Sequence, residues 1–186
     1  MQCSTLLRQG AITEIVGPLS SGRTSLLLAN MRDVTRVGAV AALVDADGAF
    51  DPATATAAGV DLARVLWVRC EGCRRAALRA VDILVRCPGF ALVALDVGES
   101  PPRLTLAQAF RLRLAVRRTG AVLILLGRRR IAGGSAVLAV EARRAELGWA
   151  GPGAAPTRLA GMGSRLQVLR KQGAPAPPLE RRWWGA

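Results

Sequence analysis

Histidine is missing altogether from the 186 residues, Lys171 is the sole lysine, and no apolar run approaches the length of about 18 residues that a membrane span needs. Without histidine, and with one CxxC pair only (Cys70 and Cys73 in "CEGC"), the chain offers at most half a zinc site or a redox pair. The opening stretch, "MQCSTLLRQGAITEIVG", lacks the basic-then-apolar layout of a secretory leader, so a soluble, cytoplasmic protein without membrane contact is expected. In that compartment Cys3, Cys70, Cys73 and Cys87 are expected to be reduced.

The shortage of lysine throws nearly all the positive charge onto arginine: 26 Lys and Arg face 13 Asp and Glu, a net charge of +13. Such a balance fits an acidic partner, nucleic acid or an acidic protein surface. It fits equally a compositional habit, because the Ala, Gly, Arg and Pro excess is what GC-rich coding produces and charged faces are often merely solvated. With 51% hydrophobic residues the chain can bury one substantial core, read as residues 1–171, followed by a tail over 172–186.

Short Val-, Ile- and Leu-rich runs alternate with helical patterns, as in a parallel sheet with crossover helices. The expected strands are 12–16, 40–45, 65–68, 92–96 and 122–126, and the expected helices 24–36, 74–86 and 106–118. In the last helix Leu106, Ala109, Phe110, Leu112, Leu114 and Val116 are read as the apolar face. Beyond residue 126, "SAVLAVEARRAEL" (135–147) and "RLQVLRK" (165–171) alternate apolar and polar residues, as half-buried antiparallel strands do. The Gly-, Pro- and Ala-rich "GWAGPGAAPTRLAGMGS" between them reads as a loop, and "APAPPLERRWWGA" as an extended tail. The fold class is therefore α/β: a mainly parallel central sheet flanked by helices, with antiparallel strands added on the C-terminal side.

"GPLSSGRTS" (17–25) stands between the first strand and the first helix. Gly17-x4-Gly22-x-Thr24 in that setting turns backbone N–H groups and a helix N-terminus toward a phosphate, with Thr24 offering a hydroxyl to Mg²⁺. The phosphate loop comprises Gly17, Ser20, Ser21, Gly22, Arg23, Thr24 and Ser25. Arg23 stands where the pattern requires lysine, and a planar guanidinium cannot sit in the loop as a compact ammonium does.

Together with "ALVDADGAFDPATATAAGVDLARVLWV" (42–68), "ITEIVGPLSSGRTSLLLA" resembles the bacterial RecA recombinases, which carry a "DAE" motif at a strand end, then "DP", then "GVD". The resemblance runs in order from about Ala11 to Leu147 and more weakly through "RLQVLRKQGAPAPPLERRW". It implies a RecA-like P-loop core in which Asp47 takes the place of the water-activating glutamate, one methylene shorter, and Asp96 that of the acid in outer contact with Mg²⁺. Thr54 stands where the family stacks an aromatic ring on adenine, Val97 replaces a polar residue, and Gly127 replaces the glutamine that senses the terminal phosphate. The DNA-binding loops expected after Asp96 and after Gly127 are both short. Asp47 and Asp96 are thus vestigial catalytic candidates, bound ATP with Mg²⁺ is not expected, and if it binds, Thr24 and Asp96 are the metal contacts.

A short, loop-depleted homologue of this kind is most similar to the ImuA-type (SulA-related) accessory proteins of mutagenic repair. That likeness implies a non-catalytic adaptor in SOS-induced translesion synthesis, with RecA and an ImuB-type polymerase-like protein as partners. The chain begins about where the RecA core begins, so a filament of this protein alone is not expected. Arg128, Arg129 and Arg130 at a strand end, and Arg181, Arg182, Trp183 and Trp184 in the tail, are the candidates for partner or DNA contact. Arg128, Arg129 and Arg130 read equally as solvated, and of the tail tryptophans one reads equally as a cap on the core and the other as loosely exposed. Two other functions are open to this sequence: a slow ATPase or nucleotide-gated switch, and a non-specific DNA-binding repair protein held by charge.

Overall fold

The computed structural model describes residues 8–152, 158–172 and 179–184. One eight-stranded sheet runs through it in the order β3-β2-β4-β5-β1-β6-β7-β8. β1 (Ile12–Val16), β2 (Val40–Asp45), β3 (Val65–Arg69), β4 (Phe90–Asp96), β5 (Val122–Gly127) and β6 (Leu138–Ala150) are mutually parallel where they pair. β7 (Arg158–Lys171) is antiparallel to β6, and β8 (Leu179–Trp184) antiparallel to β7.

The parallel strands read as continuous apolar runs because both faces are covered. Successive residues part to opposite sides: Ile15, Leu43, Ala94 and Ile124 pack with Leu26, Leu27 and Met31 of α1 (Arg23–Arg36) and Ala55 of α2 (Pro52–Ala57). Ile12, Val44, Val93, Leu95 and Leu125 pack with Ala77 and Val81 of α3 (Arg74–Leu84) and Leu112 and Val116 of α4 (Leu106–Thr119). Parallel strands share one polarity, so the carboxyl ends of β1, β2, β4 and β5 lie along one rim, where ligands of open α/β sheets bind. There Val16 is level with Gly127, and Asp45 with Asp96. No helix of the described residues is long and apolar enough to cross a membrane.

Where the expected strands and helices of the parallel half form, their ends fall within two residues of the reading. Four differences stand out. α2 was not expected; Asp51 starts it by accepting hydrogen bonds from the N–H groups of Ala53 (3.2 Å) and Thr54 (2.9 Å), with Pro52 in the first turn. β6 and β7 reach far into the segment expected as a loop, because Gly161 and Gly163 pair with Gly148 and Glu146 across a ladder containing register shifts. On α4, Leu106, Phe110 and Leu114 face away from the core, and Ala109, Leu112, Ala115 and Val116 are the buried residues. Residues 179–184 of the expected tail form β8, while 173–178 lie outside the described residues.

Candidate functional site

β1 delivers the chain to the rim at Val16, and the N–H of Gly17 is held by the carbonyl of Gly127 at 3.2 Å. The loop then rises through Pro18, Leu19 and Ser20, which are exposed, and re-enters at Ser21, Gly22 and Arg23, which are buried. Ser20 and Gly22 adopt left-handed backbone, with φ of 58° and 88°. Gly22 caps α1, and a Cβ there would collide with the hydroxyl of Ser164 from β7, so glycine is required on two counts. The same Ser164 hydroxyl donates to the carbonyl oxygen of Ser21 at 2.7 Å and fastens the loop to the C-terminal hairpin. Thr24 is exposed and Ser25 half-buried.

Arg23, the first residue of α1, folds its guanidinium back into the loop. Nη1 donates to the carbonyl oxygen of Gly17, and Nη2 lies 2.7 Å from Oε1 of Glu99. The side chain is 7% exposed. The other oxygen of Glu99 accepts from Nη1 of Arg128 at 3.2 Å, so one carboxylate bridges the loop arginine and the arginine following β5. Burial pushes the Glu99 carboxyl up, and the hydrogen bonds and charges of Arg23 and Arg128 more than offset it, leaving it below the ordinary glutamate value.

The aspartates of the rim are engaged as well. Asp45 is buried; its Oδ1 accepts from the N–H groups of Gly48 (2.8 Å) and Ala49 (3.0 Å), and its Oδ2 from Phe50 N–H (3.0 Å) and the Trp67 indole (3.3 Å). It builds the turn that follows β2. Asp47 is exposed and paired with Arg74 at the start of α3. Asp96 accepts from the N–H of Gly98 at 2.9 Å, and burial raises its carboxyl, opposed by that hydrogen bond and by Arg23.

Thr54 donates its hydroxyl to Asp51 and takes part in the start of α2. Gly127 lies against the side chain of Val97: a Cβ at 127 would come within 2.8 Å of Val97 Cγ2. The two departures from the family pattern are therefore neighbours in space, the valine methyl group taking room a longer residue at 127 would need. Each arginine of the stub after β5 has an acceptor: Arg128 has Glu99, Arg129 the carbonyl of Pro101 (2.8 Å), and Arg130 the carboxylate of Glu14 (2.9 Å). Glu14 is buried inside β1 and also accepts from the N–H groups of Ile131 (2.6 Å) and Ala132 (2.8 Å), pinning this stub to the sheet. Arg181, Arg182, Trp183 and Trp184 belong to β8, opposite Ser164, Gly163, Met162 and Gly161 in register; their side chains lie outside the described residues.

The structure thus brings Arg23, Asp47, Asp96 and Arg128 to one rim, and adds Glu99, Glu14, Ser164 and Arg74, which sequence reasoning had passed over. A signal for Glu99 was present. An arginine inside a closed loop demands an anion, and few acids stand near the strand ends of this rim. As arranged, these residues do not fit a magnesium-bound nucleoside triphosphate: the cation that should meet phosphate already holds a carbonyl and a carboxylate, and Glu99 adds negative charge beside it. Among the described residues no group of three or more Cys, Asp or Glu side chains is arranged to hold a metal ion. Cys70 is buried and Cys73 exposed at the start of α3, both as free thiols.

A strand, a glycine-bounded loop and a helix at the carboxyl rim of a parallel sheet define a P-loop α/β protein. Within that class the chain belongs to the RecA N-terminal domain family, which it matches over residues 4–106. It is 44% identical over 90 residues to the RecA protein of Rippkaea orientalis, a match covering 48% of this chain and 26% of that protein. It is 39% identical over 97 residues to RecA of Borreliella afzelii (52% and 26%), and 41% identical over 90 residues to RecA of Chlorobaculum tepidum (48% and 26%). The matched region is about a quarter of the length of these relatives.

Proposed function

We propose that this chain is a non-catalytic RecA-like adaptor in damage-induced mutagenesis, which binds RecA and an ImuB-type polymerase-like protein in a translesion synthesis complex. Membership of the RecA N-terminal domain family supports a role in DNA repair or recombination. The observation that carries the non-catalytic reading is the commitment of Arg23 to Gly17 and Glu99. A phosphate approaching the loop must first displace a carboxylate from a guanidinium that is almost fully buried. Restoring a lysine alone would leave that carboxylate in place. The other departures point the same way: Asp47 is held by Arg74, Thr54 by Asp51, and the place of the phosphate-sensing side chain is closed by Val97.

Calorimetric titration with Mg²⁺ and a non-hydrolysable ATP analogue tests this reading. The wild-type chain should give no saturable heat, whereas Arg23→Lys combined with Glu99→Ala should bind at least about tenfold more tightly than either single variant, since the two changes act on one contact. Micromolar binding by wild type, with turnover of ATP, would overturn it in favour of a nucleotide-gated switch or ATPase. Retention of purified RecA and of the polymerase-like partner on the immobilised chain, without nucleotide, tests the partner half. Binding of DNA alone through the net charge of +13 should fade at physiological salt.

A further inference from the structure

The sequence of α4, "LAQAFRLRLAVRRT", carries apolar residues on two sides, and the fold uses one of them. Ala109, Leu112, Ala115 and Val116 are buried against the sheet. Leu106, Phe110 and Leu114, spaced by four residues and so aligned along one side of the helix, are 89%, 48% and 42% exposed. A helix with a second apolar line opposite its buried one carries more apolar surface than the core uses. Its start is fixed by a complete capping box between Thr105 and Gln108, so the outward face is a preformed surface.

Its charge is one-sided. α4 carries Arg111, Arg113, Arg117 and Arg118 and no acidic residue. Arg113 lies over the Phe110 ring at 5.3 Å from its centre, and Arg111 is 61% exposed with its nearest acid, Asp82, at 3.7 Å. Beside α4 a groove of about 670 Å³ toward α3 is lined by Leu78 and Leu104, by Arg75, Arg79 and Arg111, and by the single acid Asp82. The whole is an apolar line about 12 Å long at helical rise, bordered by cations.

We propose that the outward face of α4 is a docking surface for an acidic amphipathic helix of a partner protein. An apolar residue on each turn of that helix meets Leu106, Phe110 and Leu114, and its carboxylates meet the arginines on the margins. A second copy of this chain is the wrong occupant, because it would set four arginines against four. A phosphate backbone is served poorly by a surface whose centre is apolar and whose cations stand aside. The inference rests on the adaptor reading only in supposing a protein partner.

The test is fluorescence anisotropy with the full chain and a labelled helical peptide of about five turns, with leucines along one face and glutamates elsewhere, beside the same peptide with lysines for glutamates. The glutamate peptide should bind saturably, more weakly as salt rises, and the lysine peptide should not bind. Phe110→Ser with Leu114→Ser, and separately Arg113→Gln with Arg117→Gln, should each weaken binding about tenfold or more. Leu106→Ser, at the most exposed of the three positions, serves as a third variant should either pair lower the thermal midpoint. Equal binding of both peptides, or binding indifferent to all three variants, would overturn the proposal. So would capture of phosphatidylglycerol vesicles through Phe110 without binding of the glutamate peptide. Failure of the peptide with RecA capture intact removes this surface alone, and failure of capture with peptide binding intact removes the adaptor reading alone.

Discussion

Asp45, Asp47 and Asp96 stand at neighbouring strand ends, and their surroundings give them different duties. Asp45 is used up by four donors, three N–H groups of its own turn and the Trp67 indole of the neighbouring β3, while Asp47 faces outward to Arg74. Ionisation of Asp96 opposes folding, because burial raises its carboxyl above the ordinary aspartate value. A raised carboxyl binds its proton more readily in the folded chain than in the unfolded one. Its contribution to stability is therefore full below the ordinary aspartate pKa and is lost as pH rises through the higher folded value. Asp96→Asn keeps an oxygen to accept from Gly98 and removes the charge. The variant should melt a few degrees above wild type near neutral pH, and the gap should close toward about pH 4. Melting curves across that range decide the matter; a gap that is constant with pH would show that Asp96 ionisation costs the fold nothing.

Two elements meet at the rim, the end of β5 and the turn after β4, and Gly127 of the first lies against Val97 of the second. Gly127→Gln alone forces a side chain against Val97 and should cost about 1–3 kcal/mol. Val97→Ser in the same chain relieves the contact, so a double-mutant cycle should show a coupling of about 1 kcal/mol; additive costs would mean the two positions are independent. How much could be read in advance also divides by element. β1 and β2 end where they were expected because Gly17 and Pro18 stop the first run and Asp45, which builds its own turn, closes the second. α2 escaped notice because its six residues are too few for a period to show, and the first half of β7, residues 158–164, because glycines in a strand look like a loop. For α4, periodicity identified a helix but could not say which of its two apolar sides the sheet would take. The phosphate loop was legible as backbone, since its glycines and its place after a strand are local features. For Glu99 only the need of Arg23 for an anion was legible, and Glu14 and Ser164 were not, because they reach the stub after β5 and Ser21 from elsewhere in the chain.

Across the whole molecule, the loop near the N-terminus and the hairpin near the C-terminus form one structure. Ser164 and Ser21 are 143 residues apart in sequence, and their hydrogen bond is buried. Ser164→Ala should cost about 1 kcal/mol and speed amide hydrogen exchange at residues 19–25, leaving β2 and β4 protected as before. Uniform loss of protection would instead place Ser164 in the stability of the whole sheet. The order of synthesis gives this contact a further meaning. A ribosome emits β1 and its loop early and β7 late. A nascent chain that has reached β5 already owns its central parallel strands and the carboxylate that meets Arg23, yet nothing closes over Ser21 and Gly22. The loop after β1, made early, is among the last to be completed, and a chain interrupted before β7 would carry that loop without its cover.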